Sequence, residues 1–128
     1  MTMGLLDGIG GFLTGSDRSA YGWMDVPGTT AIDLPAGEVS IYYCETGQRS
    51  DNGRRFEPPA SLEVGLGPEG GQPVPIAPGR MPLSGEQPTQ DGVYQFVKLG
   101  EIVVTTPGRW VVTATGGDGN RPHLRFGT

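Results

Sequence analysis

One local design occurs twice in this chain: a proline–glycine corner that feeds an alternating strand. The first copy reads Asp33-Leu34-Pro35-Ala36-Gly37-Glu38-Val39-Ser40-Ile41-Tyr42-Tyr43, and the second reads Thr105-Thr106-Pro107-Gly108-Arg109-Trp110-Val111-Val112-Thr113-Ala114. Proline lacks the amide that a sheet interior needs, and glycine supplies the backbone freedom to turn, so one strand ends and the next begins at each corner. Beyond the first corner Val39, Ile41 and Tyr43 alternate with Ser40, Tyr42 and Cys44. Beyond the second, Trp110, Val112 and Ala114 alternate with Val111, Thr113 and Thr115. Alternation at period two buries one face and wets the other, as in an antiparallel sandwich. On this reading Tyr42 points outward from a central strand.

Residues 21–26 are expected to be a first strand or a strap laid on the core, and further strands are expected over residues 29–34, 38–45, 61–66, 93–99, 101–105, 109–115 and 123–126, with a pivot near Gly100. Residues 72–77 read as an edge strand, because Pro73 and Pro75 flank Val74. Residues 78–92 form a long proline-rich excursion with only Met81 and Leu83 to anchor it. The fold class is therefore all-β: an antiparallel sandwich or jelly roll of roughly seven to nine short strands joined by polar turns. Val39, Ile41, Tyr43, Leu62, Val64, Phe96, Trp110 and Val112 are expected to be buried on facing sheets. A chain of 128 residues suits one such domain, and its 23 Gly and 12 Pro sit between apolar runs, as turns do.

Residues 1–19 differ from the sandwich domain expected over 20–128. Wound as a helix at about 100° per residue, Leu5, Leu6, Ile9, Phe12 and Leu13 share an apolar arc of roughly 120°. Gly4, Gly8, Gly11 and Gly15 fall on a separate flank. The glycines make an isolated helix costly, at about 1 kcal/mol each relative to Ala. The segment is expected to be a short amphipathic helical arm that docks on a protein surface. Contact with a membrane is the weaker alternative, since the first cation is Arg18 and Asp7 is repelled by anionic lipid. No charged start and long apolar centre mark a secretory signal, and no apolar run approaches the ~20 residues of a spanning helix. The expected location is the cytoplasm or an assembled complex.

Chemistry is sparse. The net charge of −5 argues against nucleic acid, which needs a basic stripe. The single cysteine, Cys44, reads as a buried small hydrophobe in a strand, and the single histidine, His123, as a structural residue of the last strand. The acidic turns at Asp51-Asn52 and Asp118-Asn120 lack the regular carboxylate spacing of a calcium loop, and the Gly-Gly-Asp-Gly run does not join a strand to a helix as a phosphate loop does. No catalytic residue, metal ligand, cofactor or small-molecule substrate is assigned. On the polar loop, Arg54, Arg55 and Phe56 are the best binding candidates, because arginine and aromatic residues concentrate in interface hot spots.

The run Glu38-Val39-Ser40-Ile41-Tyr42-Tyr43, then Leu62-Glu63-Val64-Gly65-Leu66, then Tyr94-Gln95-Phe96 leading to Thr106-Pro107-Gly108-Arg109-Trp110-Val111-Val112-Thr113-Ala114 resembles small bacterial β-sandwiches of the GOLD-like and pre-peptidase carboxy-terminal kind. The resemblance spans about residues 29–127 and implies a binding or accessory module without catalysis. The expected function is thus a non-enzymatic interaction or assembly module that docks on a partner protein or on itself through the arm, as an accessory or structural component of a larger complex. The alternatives are a carbohydrate- or ligand-binding sandwich and a peripheral membrane-associated accessory protein.

Overall fold

The computed structural model describes residues 19–47, 57–78, 84–89, 92–116 and 121–128. These form eight strands: β1 (Gly22–Asp25), β2 (Gly28–Leu34), β3 (Gly37–Gly47), β4 (Glu63–Pro68), β5 (Ser84–Thr89), β6 (Gly92–Val104), β7 (Gly108–Thr115) and β8 (His123–Gly127). They make two antiparallel sheets, a larger one in the order β1-β8-β3-β6-β5 and a smaller one in the order β2-β7-β4. Among the described residues there is no helix, and hence none long and apolar enough to cross a membrane. The arm over residues 1–18 lies outside the described residues.

The two corners of the sequence are one structural event seen from both strands of a ribbon. In the smaller sheet β2 runs against β7, from Gly28 opposite Ala114 to Leu34 opposite Gly108. The chain then turns the corner, and β3 continues in the larger sheet against β6, starting with Gly37 opposite Val104. Pro35 and Pro107 stand where the ribbon leaves one sheet and enters the other, the place where a missing amide interrupts no ladder. The glycines differ. Gly37 takes a φ of 121°, which favours glycine, whereas Gly108 has no positive φ.

The inner faces of the two sheets share one core. Val39, Ile41 and Tyr43 of β3, Ile102 and Val104 of β6, and Leu124 and Phe126 of β8 meet Ile32 and Leu34 of β2, Leu66 of β4 and Trp110, Val112 and Ala114 of β7. Leu62 and Val64 are half-buried and pack against this cluster. The indole Nε1 of Trp110 is buried without a hydrogen-bond partner, a cost of about 1–3 kcal/mol that the rest of the core offsets.

Several expectations are corrected. Residues 72–77 are not a strand but an extended strap. Val74 N donates to the Leu66 carbonyl at 2.8 Å, and Ala77 makes a single bridge to Glu101. The excursion over 78–92 contains a strand, β5, whose sequence Ser-Gly-Glu-Gln-Pro-Thr has no apolar alternation because an edge strand is held by backbone pairing. Nor does Gly100 break the chain in two: β6 is continuous, with a register shift where Ile41 faces Gly100 and Tyr42 faces Lys98. A Cβ on Gly100 would collide with the Ala77 carbonyl oxygen, so the strap and the bulge need that glycine. Phe96 is buried as expected, but on the face of the larger sheet turned away from the core, in a second cluster with Tyr42 and Cys44. Tyr42 does point outward, yet it is 2% exposed.

Candidate functional site

The outer face of the larger sheet brings together four aromatic side chains, Trp23, Tyr42, Tyr94 and Phe96, with His123, Arg125 and Lys98. The register sets Trp23, Arg125, Tyr42 and Lys98 in one row across β1, β8, β3 and β6. Asp25, His123, Cys44, Phe96 and Gly85 make the next row, and Tyr94 follows opposite Thr46. Cross-strand neighbours on one face lie about 4.5–5.5 Å apart, so the side chains of these rows must touch.

The contacts are specific. The Tyr94 ring stacks on His123 at 5.9 Å and lies 6.2 Å from Phe96, which in turn meets Tyr42 edge-on at 6.2 Å. Trp23 stands edge-on to His123 at 6.2 Å, and the Arg125 guanidinium carbon lies 4.9 Å from the Tyr94 ring centre. The Tyr94 hydroxyl donates to Cys44 Sγ at 2.9 Å, and the Tyr42 hydroxyl donates to the Thr128 carbonyl at 3.1 Å. Beside them Lys98 Nζ lies 2.6 Å from Glu101 Oε2, across the bulge. The patch thus has a buried floor of Tyr42, Cys44 and Phe96 and an accessible rim, where Trp23 is 57% exposed.

His123 sits at the centre of this patch with both ring nitrogens engaged. Nδ1 lies 2.9 Å from the Arg121 carbonyl oxygen, which can only accept, so Nδ1 carries a proton. Nε2 then accepts from Arg125 Nε at 3.3 Å. Burial lowers its pKa below the usual 6.5, the Arg121 carbonyl opposes that, and the Arg125 charge adds to the lowering. The neutral ring is therefore a built part of the network. Cys44 faces His123 across the strand pair, but its thiol is fully buried, and neither ring nitrogen of His123 points to it as a base.

Two shallow clefts flank the sheets. One of about 330 Å³ is lined by Trp23, Asp25, Thr29 and Thr30, where β1 hands over to β2. The other, of about 400 Å³, lies on the outer face of the smaller sheet over Gly65, Gly67, Pro68, Val111 and Thr113. Among the described residues, no group of three or more His, Cys, Asp or Glu side chains is placed to hold a metal ion.

The residues singled out from sequence, Leu5, Leu6, Ile9, Phe12, Leu13, Arg54, Arg55 and Phe56, lie outside the described residues, as do both acidic turns. The patch itself went unread, although one signal was present. Val39, Ile41 and Tyr43 occupy one parity of β3 while Tyr42 and Cys44 occupy the other, so the strand is apolar on both faces. No family model, no curated protein and no solved structure matches the chain.

Proposed function

We propose that this protein is a non-enzymatic interaction and assembly module, a sandwich that docks on further copies of itself or on a partner protein. The observation that carries this reading is the outer face of the larger sheet, where Trp23, Tyr94 and Arg125 converge over a buried aromatic floor. Trp, Tyr and Arg are the residues that dominate binding energy in protein interfaces, and they do so when packed around a desolvated centre. The apolar arm, with Leu5, Leu6, Ile9, Phe12 and Leu13, is the second docking element, too apolar to stay in water and too glycine-rich to hold a helix alone. The resemblance to accessory β-sandwiches supports the same reading, and an assembled complex is where such a unit works. The test is association of the full chain, measured by light scattering, against Phe12→Asp and Trp23→Ala. Each is expected to weaken association and leave the sandwich folded. A variant that melts lower while associating normally would assign its residue to the fold instead.

A second reading is favoured by the cleft beside Trp23. An exposed indole over a carboxylate and two threonine hydroxyls is a surface on which a sugar ring stacks and hydrogen-bonds. Tryptophan fluorescence of the full chain, titrated with soluble oligosaccharides, distinguishes this reading: Trp23 reports saturable binding that Trp23→Ala abolishes, whereas Trp110 is buried and silent.

A further inference from the structure

The four sheet edges are not equally protected. A strand at an edge offers unpaired amides and carbonyls to any other chain, and proteins blunt such edges by shortness, charge, proline or a covering segment. Edge strand β1 has only four residues, and β5 carries Pro88 and Glu86. The strap lies along β4, with Val74 bonded to Leu66. The remaining edge, β2, has seven residues, Gly-Thr-Thr-Ala-Ile-Asp-Leu, without proline, lysine or bulge, and its one charge, Asp33, is paired with Arg109 on β7 at 3.9 Å. Among the described residues its backbone pairs with β7 alone.

We infer that β2 is a self-association edge, which pairs antiparallel with β2 of a second copy and joins two three-stranded sheets into one. The occupant follows from the flanking residues. Pro27 and Pro35 bound the strand and cannot donate, so one two-fold register pairs all seven residues with partners that have amides, the one centred on Ala31. In that register Gly28 meets Leu34, Thr29 meets Asp33 and Thr30 meets Ile32 of the second copy. A two-fold axis through a residue keeps parity, so Ile32 and Leu34 stay on the core side and Thr29, Ala31 and Asp33 stay outside. The one charge, Asp33, meets a threonine hydroxyl rather than a second carboxylate. On the outer face the β7 neighbours of this edge are Thr113, Val111 and Arg109, and Arg109 Nε lies 3.9 Å from Asp33 Oδ1, which balances the one charge of the strand.

The inference does not depend on the arm, and its test leaves the arm intact. Ala31 is exposed, so a charge there leaves the monomer folded, but at the two-fold axis two copies of that charge face each other. Full-length wild type, Ala31→Lys and Ala31→Glu are compared by light scattering over a concentration series. The wild type is expected to dimerise, and each variant to dimerise at least about tenfold more weakly, with the same melting temperature at dilutions where both are single chains. An equimolar mixture of the two variants should recover the dimer, because opposite charges then meet at the axis. In addition, Ala31→Cys should oxidise to a covalent dimer, while Thr113→Cys on central strand β7 should not. A wild type of one-chain mass throughout, or a dimer indifferent to both charges, overturns the inference. Association lost in Phe12→Asp but kept in both Ala31 variants would likewise overturn it and assign the contact to the arm.

Discussion

Gly37 and Gly108 close the same corner from opposite strands of one ribbon, and only Gly37 turns through positive φ, at 121°. Their near-identical sequence settings therefore conceal different tasks. A side chain at Gly37 is strained whatever space surrounds it, whereas at Gly108 a Cβ meets nothing within 4 Å. Gly37→Ala is expected to destabilise by about 1–3 kcal/mol. Gly108→Ala should stay within about 0.5 kcal/mol of wild type. Urea unfolding of the two variants checks the contrast, and equal losses would mean that both corners turn alike.

The fold was legible where alternation and punctuation agree. Trp110, Val112 and Ala114 alternate cleanly, and all three are buried against the larger sheet. What period two does not reveal is which sheet a strand joins: strands end and begin at each corner as expected, but the next strand belongs to the other sheet. It also misses strands held by backbone alone. In β5, Ser84, Gly85 and Glu86 carry no apolar signal, and their placement follows from pairing with Val97, Phe96 and Gln95. The outer patch was hidden for a third reason: Trp23, Tyr94, His123 and Arg125 come from three strands far apart in sequence, and only the register makes them neighbours.

Truncation of a side chain on each face measures the two clusters separately. Ile41→Ala, in the core between the sheets, is expected to cost about 2–5 kcal/mol. Phe96→Ala faces the other way, and because that ring is packed among Tyr42, Tyr94 and Gly85, it should cost about 3–5 kcal/mol. Denaturant melts give both values. A negligible loss at Phe96 would mean that the outer cluster contributes little to folding.

His123 gives stability a pH dependence of known sign. Its folded pKa lies below 6.5, so as pH falls through 6.5 the unfolded chain takes up a proton that the folded chain resists. Asp25 and Glu45 pull the other way but do not reverse the shift. Stability is fully present above about pH 6.5 and declines as pH falls toward the folded pKa. His123→Gln, which keeps hydrogen-bonding capacity without a titrating ring, should flatten this slope between neutral and mildly acid pH. Melting temperatures across that window are the check, and a slope unchanged by the substitution would remove His123 as its source.

The central claim is that this chain assembles through surfaces its fold does not need. The most direct test is light scattering of full-length wild type, Phe12→Asp, Ala31→Lys and the double variant, with melting curves on the same samples. The account predicts a wild-type mass above that of one chain, a reduced mass or weaker association in each single variant, and a one-chain mass in the double variant, all with one melting temperature at dilutions where every sample is a single chain. A wild type that remains at the mass of one chain at high concentration, or variants that melt earlier while their mass is unaltered, would contradict it.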